Sequence, residues 1–294
     1  MSRVRTTMPA AALVLAVLTG CGAQAQTAAQ SSPSPAPDLR RQIETARADC
    51  MKRKGFRYNV HVPPPRKAGD DQRAADGGVY GAMRRIRQKY GFKIFARFVY
   101  PGDPAADRYF APQERPNDEI KRSLSETQAV AWEEADGACR TEVVGKVLGK
   151  TVSTMEDYYE QLNRRLEQAD RETDSDPRLA GLARSFGDCL KGRGYPVTSV
   201  KPTDMHEAGA KIVEKELDRL GRAKAEDPVD EVDGMEATYV PELTAGQAMP
   251  YLAKEIKVAL DDLECGREFY PAFFAEWDAH RIYAEFGHGA IEWS

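Results

Sequence analysis

Cys50-Met51-Lys52-Arg53-Lys54-Gly55-Phe56 recurs in outline as Cys189-Leu190-Lys191-Gly192-Arg193-Gly194-Tyr195: a cysteine, Met or Leu, a lysine, then a glycine followed by an aromatic residue. Apolar residues ahead of each copy keep helical spacing, Leu39, Ile43, Ala46 and Cys50 in the first and Leu179, Leu182, Phe186 and Cys189 in the second. Steps of three and four place the thiol on the buried face of a helix, and Gly55, Gly192 and Gly194 supply the stop. Two more cysteines follow at corresponding places, in Asp136-Gly137-Ala138-Cys139 and Asp262-Leu263-Glu264-Cys265. A duplicated module is the simplest account.

The 294 residues are 41% hydrophobic and 30% charged, with five cysteines. That apolar content supports a core and excludes a disordered tail, a collagen-like fibre and a multi-span membrane protein. At the N-terminus, Arg3 and Arg5 precede a nine-residue apolar run from Ala10 to Leu18, short of the ~20 residues a membrane-crossing helix needs. Leu18-Thr19-Gly20-Cys21 then resembles the cleavage box of bacterial lipoproteins, which implies that the Cys21 thiol is lipidated and the chain is cut before it. An ordinary secretory signal cut near residues 23–25 is the alternative. On the lipoprotein reading, residues 1–20 are a signal peptide, two acyl chains on Cys21 give a stable anchor on the outer face of the cell membrane, and residues 21–37 are a flexible stalk.

Four cysteines then remain, and in an oxidising compartment they predict two disulfides with three connectivities open. The repetition favours Cys50–Cys139 and Cys189–Cys265 within modules. Crossed pairing, Cys50–Cys189 with Cys139–Cys265, and unpaired thiols are the alternatives. Zinc is disfavoured because no two of these thiols have close C-x-x-C spacing.

The rest of the pattern is mostly helical. Ser123-Leu124-Ser125-Glu126 suggests a capping box opening one long helix whose apolar series runs through Val130, Ala135, Cys139, Val143, Val147, Met155, Tyr159, Leu162 and Leu166. The polar stretch from Asp170 to Asp176 reads as a linker. Thr244 and Gln247 suggest the cap of a counterpart carrying Ile256, Ala259, Leu263, Phe269, Phe273, Phe274 and Trp277, with Pro250 delaying or kinking its start and Pro271 kinking it again. Gly91 to Tyr100 is aromatic and β-branched enough for a short strand or extended arm, Met205 to Leu220 reads as a helix, and residues 225–243 as a loop. The expected fold is mainly α: two tandem helical modules, 38–170 and 171–294, each with one intramodule disulfide, and a short strand around residues 92–100.

Over residues 38–286 these elements resemble secreted lipoproteins of actinobacteria, in which a helix ends in a Cys-[Met/Leu]…Gly-[Phe/Tyr] element and a later helix carries Asp-x-x-Cys. Many such modules have tryptophan three residues before the first cysteine, where this chain has Arg47 and Phe186. The resemblance implies the location and the disulfide frame, and carries no catalytic residue, cofactor or metal with it.

Chemical signatures are sparse. The sequence contains no G-x-S-x-G, phosphate loop, H-E-x-x-H or S-x-x-K, and His61, His206, His280 and His288 are scattered. Asp170, Glu172, Asp174 and Asp176 imitate the start of a calcium loop, but Ser175 stands in place of the turn glycine and Gly181 in place of the bidentate glutamate. Asp136 and Asp262 suggest an acid–base pair only if the modules bring both to one cleft, which would make the chain an envelope hydrolase. Trp132, Trp277 and Trp293 read as packing residues.

Charge distribution is the clearest departure from average. Thirteen Lys and Arg face three Asp between residues 51 and 97, while residues 98–294 carry a net −16. Arg84, Arg85, Arg87, Lys89, Lys93 and Arg97 are therefore the candidate contacts for anionic lipid headgroups or acidic wall polymers, or for another envelope protein. Nucleic acid fits the sign and not the compartment. The competing expectation is that the basic segment lies over the acidic second module and is paired internally. The sequence thus points to a lipid-anchored, non-enzymatic binding or scaffold protein.

Overall fold

The computed structural model describes residues 37–62, 69–106, 116–226, 228–232 and 235–288. Helix α1 (Pro37–Arg53) carries the first cysteine, and α2 (Asp70–Asp76), α3 (Tyr80–Tyr90) and α4 (Ala96–Val99) form the basic excursion. After α5 (Pro116–Arg122) come α6 (Glu126–Leu148), α7 (Met155–Ser175) and α8 (Pro177–Gly192), the last ending on the Cys189 element. Then follow α9 (Pro202–Met205), α10 (Ala208–Arg222), a two-residue antiparallel ribbon of β1 (Glu231–Val232) and β2 (Met235–Glu236), α11 (Ala245–Cys265), α12 (Phe269–Glu276) and α13 (Ala279–Glu285). The fold is mainly α, as the periodicity implied. Both disulfides are the intramodule ones: Cys50–Cys139 and Cys189–Cys265, with Cα–Cα separations of 5.6 and 5.5 Å.

Caps and breakers explain where the helices begin and end. The first capping box sits two residues later than expected: Ser125 caps α6, and Gln128 reaches back to its backbone N–H. Thr244 and Gln247 form the second box, and α11 starts at Ala245 without delay, running through Pro250. The long first helix expected from the apolar series is two helices. Gly149, at φ 66°, ends α6 in the left-handed region that glycine adopts without steric cost, and Thr154 caps the restart by accepting from the Asp157 N–H. Asp170 to Ser175 is the last turn and a half of α7 rather than a linker, and Asp176 caps α8 by accepting from the N–H groups of Arg178 and Leu179. Pro271 lies in the first turn of the separate helix α12, where its missing N–H is harmless.

The strand expected around residues 92–100 is absent. Residues 92–95 form a turn leading into α4. Their apolar side chains are still buried, with Ile94, Phe95 and Ala96 at 3%, 1% and 0% exposure. The turn forms because its amides find a carboxylate, Glu255, instead of a neighbouring strand.

Packing interleaves the two ends of the chain. The excursion belongs to the core of the second half: Ala75, Ala82 and Met83 pack with Leu179, Phe186, Leu263, Phe269 and Tyr270. Tyr90, Ile94 and Phe95 pack with Ala210, Val213, Leu217 and Leu252. In return, Ile282 of α13 and Phe286 pack with Ile43, Val143, Val144, Tyr158 and Leu162 of the first half. Around the first disulfide, Met51, Trp132 and Ala135 close a small core of their own. Among the described residues, no helix is long and apolar enough to cross a membrane.

Candidate functional site

Each disulfide lies one helical turn from a buried aspartate, and each aspartate holds an arginine. Asp136, on α6 three residues before Cys139, is 4% exposed and accepts from Arg47 Nε and Nη2 at 2.7 and 2.6 Å. Arg47 lies on α1 three residues before Cys50, so the two cysteines and the two ion-paired residues share an offset on facing helices. The guanidinium also stacks 4.9 Å over the Tyr58 ring, and Tyr58 donates its hydroxyl to Glu44, itself 2% exposed. Burial acts against the Arg47 charge, but the hydrogen bonds it donates to Asp136 and the nearby acidic groups outweigh it and hold the guanidinium above its ordinary range.

In the second half the aspartate is kept and the arginine comes from elsewhere. Asp262, three residues before Cys265, is 0% exposed. The position three before Cys189 is Phe186, buried in the aromatic core. The cation is Arg87 of α3, whose Nη1 donates to Asp262 Oδ2 at 2.5 Å and to the Ala259 carbonyl at 2.9 Å. Arg87 is sandwiched between the rings of Phe92 and Tyr270, 4.9 and 4.8 Å from its Cζ, and the Tyr270 hydroxyl donates to the same Oδ2. Burial pushes both Asp262 and Tyr270 up, while Tyr270 and Asp262 more than offset its effect on Arg87, which stays firmly cationic.

About two turns earlier on α11, Glu255 is 0% exposed. Its Oε1 accepts the N–H groups of Phe92 and Ile94 at 2.7 and 2.9 Å, and its Oε2 accepts that of Phe95 at 2.8 Å. The turn passes so close that a Cβ on Gly91 would lie 2.5 Å from Glu255 Cγ, and Lys93 is held at φ 69°, in the left-handed region that non-glycine residues avoid. Burial pushes Glu255 up to about 7 despite these amide donors.

The six basic candidates separate in the structure. Arg87 is a buried structural cation. Arg85 is exposed and paired with Asp71, Lys89 donates to Asp103 and to the Tyr90 hydroxyl, and Lys93 donates to Gln72. Arg97 is half-buried with its Cζ 4.8 Å over the Phe98 ring. Arg84 is exposed and has no ion-pair partner among the described residues. Much of the segment's charge is therefore answered within the protein. Asp136 and Asp262 do not face a common cleft, since each is buried against its own arginine. Cys21 and Trp293 lie outside the described residues; Trp132 donates to the Arg57 carbonyl and Trp277 to Asp170, both from packed positions. His206 is stacked on Phe273 and lies tilted against Trp277, and no group of metal-ligating side chains occurs among the described residues.

Arg47, Tyr58, Glu255 and Tyr270 were not singled out by the sequence. For Arg47 a signal existed, because it precedes Cys50 by the three residues that separate Asp136 from Cys139. Glu255 and Tyr270 carry none, being one glutamate and one tyrosine among many. Compared with protein-family models, curated proteins and solved structures, the chain has no match in any of the three.

Proposed function

We propose that the chain is a lipid-anchored protein of the cell envelope, tethered through Cys21 to the outer face of the membrane, that acts as a non-enzymatic binding or scaffold protein built on a duplicated disulfide-closed module. The observation that carries this reading is the pairing of all four cysteines after Cys21, an arrangement suited to an oxidising compartment. It is supported by the cleavage box at Leu18–Cys21, and by the commitment of Asp136 and Asp262 to arginines that hold helices together. Arg84, exposed on α3 together with Arg85 and Lys89, is the part of the basic segment that meets anionic headgroups or wall polymers on this reading.

The anchor is tested by mass spectrometry of the mature chain and by fractionation of a Cys21→Ser variant. A diacylated N-terminal cysteine and loss of membrane retention in the variant are expected; an intact leader on a protein inside the cell overturns the reading. Co-sedimentation with anionic vesicles at low and high salt tests the surface, with Arg84→Glu expected to weaken a salt-sensitive association. Equal sedimentation of both chains removes Arg84 from the contact.

A further inference from the structure

The excursion between Cys50 and Cys139 is anchored at both ends in the first half, through a disulfide whose Cα atoms are 5.6 Å apart, yet its middle is seated in the second half. Within the second half, two buried carboxylates face that segment. Asp262 has Arg87 as its cation, and Glu255 accepts hydrogen bonds from the amides of Phe92, Ile94 and Phe95. Phe95 stacks on Tyr251 at 5.2 Å, and the Tyr80 hydroxyl donates to Glu264 at 2.6 Å. These are the ingredients of peptide recognition: a charged anchor in an aromatic slot, main-chain hydrogen bonds that read a turn, and an apolar pocket beside them.

From this arrangement we infer that helices α8, α10, α11 and α12 form a receptor cleft for a basic, aromatic peptide, and that residues 80–99 are its built-in ligand, a strap that docks as a unit. The recognised features are one arginine, the turn amides of Phe92, Ile94 and Phe95, and the separate aromatic side chains of Phe92 and Phe95. A peptide of the same chemistry supplied in trans competes for the seat. The first half has no need of such a ligand, because Arg47 supplies its cation from α1 next to the cysteine it precedes. With Phe186 in the corresponding place, the second half receives its cation only when the strap is home. A strap whose two polar anchors are charge-assisted and whose turn holds Lys93 in a strained conformation has a specific bound shape, not a generic apolar one. This inference stands on the packing alone and is independent of the lipid anchor.

The test uses the full mature chain with protease sites inserted after residues 66 and 110. After cutting, the N-terminal piece stays attached through Cys50–Cys139, and the strap is held by non-covalent contacts. Co-elution of the strap with the rest in gel filtration, and its saturable exchange for a fluorescent peptide of residues 69–106, are expected. Asp262→Asn should weaken peptide retention at least tenfold, and Arg164→Ala, which breaks an exposed pair with Glu160 on α7, should leave it unchanged. Loss or aggregation of the cut chain without saturable rebinding, or equal retention by the Asp262→Asn chain, overturns the inference. Hydrogen exchange on the uncut protein is the second readout: the amides of residues 92, 94 and 95 should exchange together through an opening that leaves α8 and α11 protected. Exchange of those amides only with global unfolding also overturns it.

Discussion

Arg87 and Asp262 are 175 residues apart in the chain, and their side chains meet at 2.5 Å in a buried site. The pair joins the basic excursion to the helix carrying the last cysteine, and it stands where the first half has a pair between neighbours of its own disulfide, Arg47 and Asp136. A basic segment that reads as a contact surface is thereby turned partly inward.

Removing one member of that pair leaves a buried charge without its partner. Arg87→Met should therefore destabilise the protein by about 3–5 kcal/mol, whereas Arg85→Ala, which breaks an exposed pair with Asp71, should leave stability nearly unchanged. Urea titrations of both variants compare the costs directly. Similar midpoints for the two would mean that Arg87 is not the structural cation described.

Glu255 makes stability depend on pH with a definite sign. Its native carboxyl is raised from 4.5 to about 7 by burial, so the folded chain binds this proton more tightly than the unfolded one. The contribution is complete below about pH 4.5 and is lost as pH rises to about 7, a change of roughly 3 kcal/mol at ~1.4 kcal/mol per pKa unit. Glu255→Gln should flatten that part of the profile. Urea midpoints between pH 4.5 and 8 for both chains measure the difference, and parallel profiles would refute the assignment.

The two disulfides should not reduce together. Cys50 and Cys139 are 1% and 0% exposed, while Cys189 and Cys265 are only half-buried. Thiol–disulfide exchange requires access to sulfur, so a mild dithiol should open Cys189–Cys265 first in the folded state. Alkylation and mass mapping over time reveals the order. Each bridge closes a long loop, with separations of 89 and 76 residues, and replacing either pair by serine should cost up to about 4.5 kcal/mol.

Gly91 tests how closely the turn must approach α11. It has φ 57°, and an added Cβ would lie 2.5 Å from Glu255 Cγ, so Gly91→Ala meets both backbone strain and a clash. A loss of more than ~1 kcal/mol is expected, against a small gain for Gly181→Ala in the open first turns of α8. Thermal melts of the two variants should move in opposite directions.

The local content of the fold was legible in the residues. Apolar spacing before Cys50 and Cys189 marked two of the helices, Thr244 with Gln247 marked a start, and the repeated cysteine elements favoured the pairing that the structure contains. These features depend on neighbours within a few turns, so spacing suffices to read them. The break at Gly149 was hidden because the apolar period continues across it, and only the left-handed backbone there ends α6.

Composition and periodicity by themselves determined the helical class, the places where helices can cap and the faces that carry thiols, because hydrophobic period and capping act at short range. Tertiary structure alone decided that residues 92–95 are a turn, that Arg87 is buried while Arg84 is exposed, and that α13 returns to the first half. The physical reason is that a buried carboxylate needs donors from whichever segment reaches it, and Glu255 and Asp262 are answered by residues more than 150 positions away.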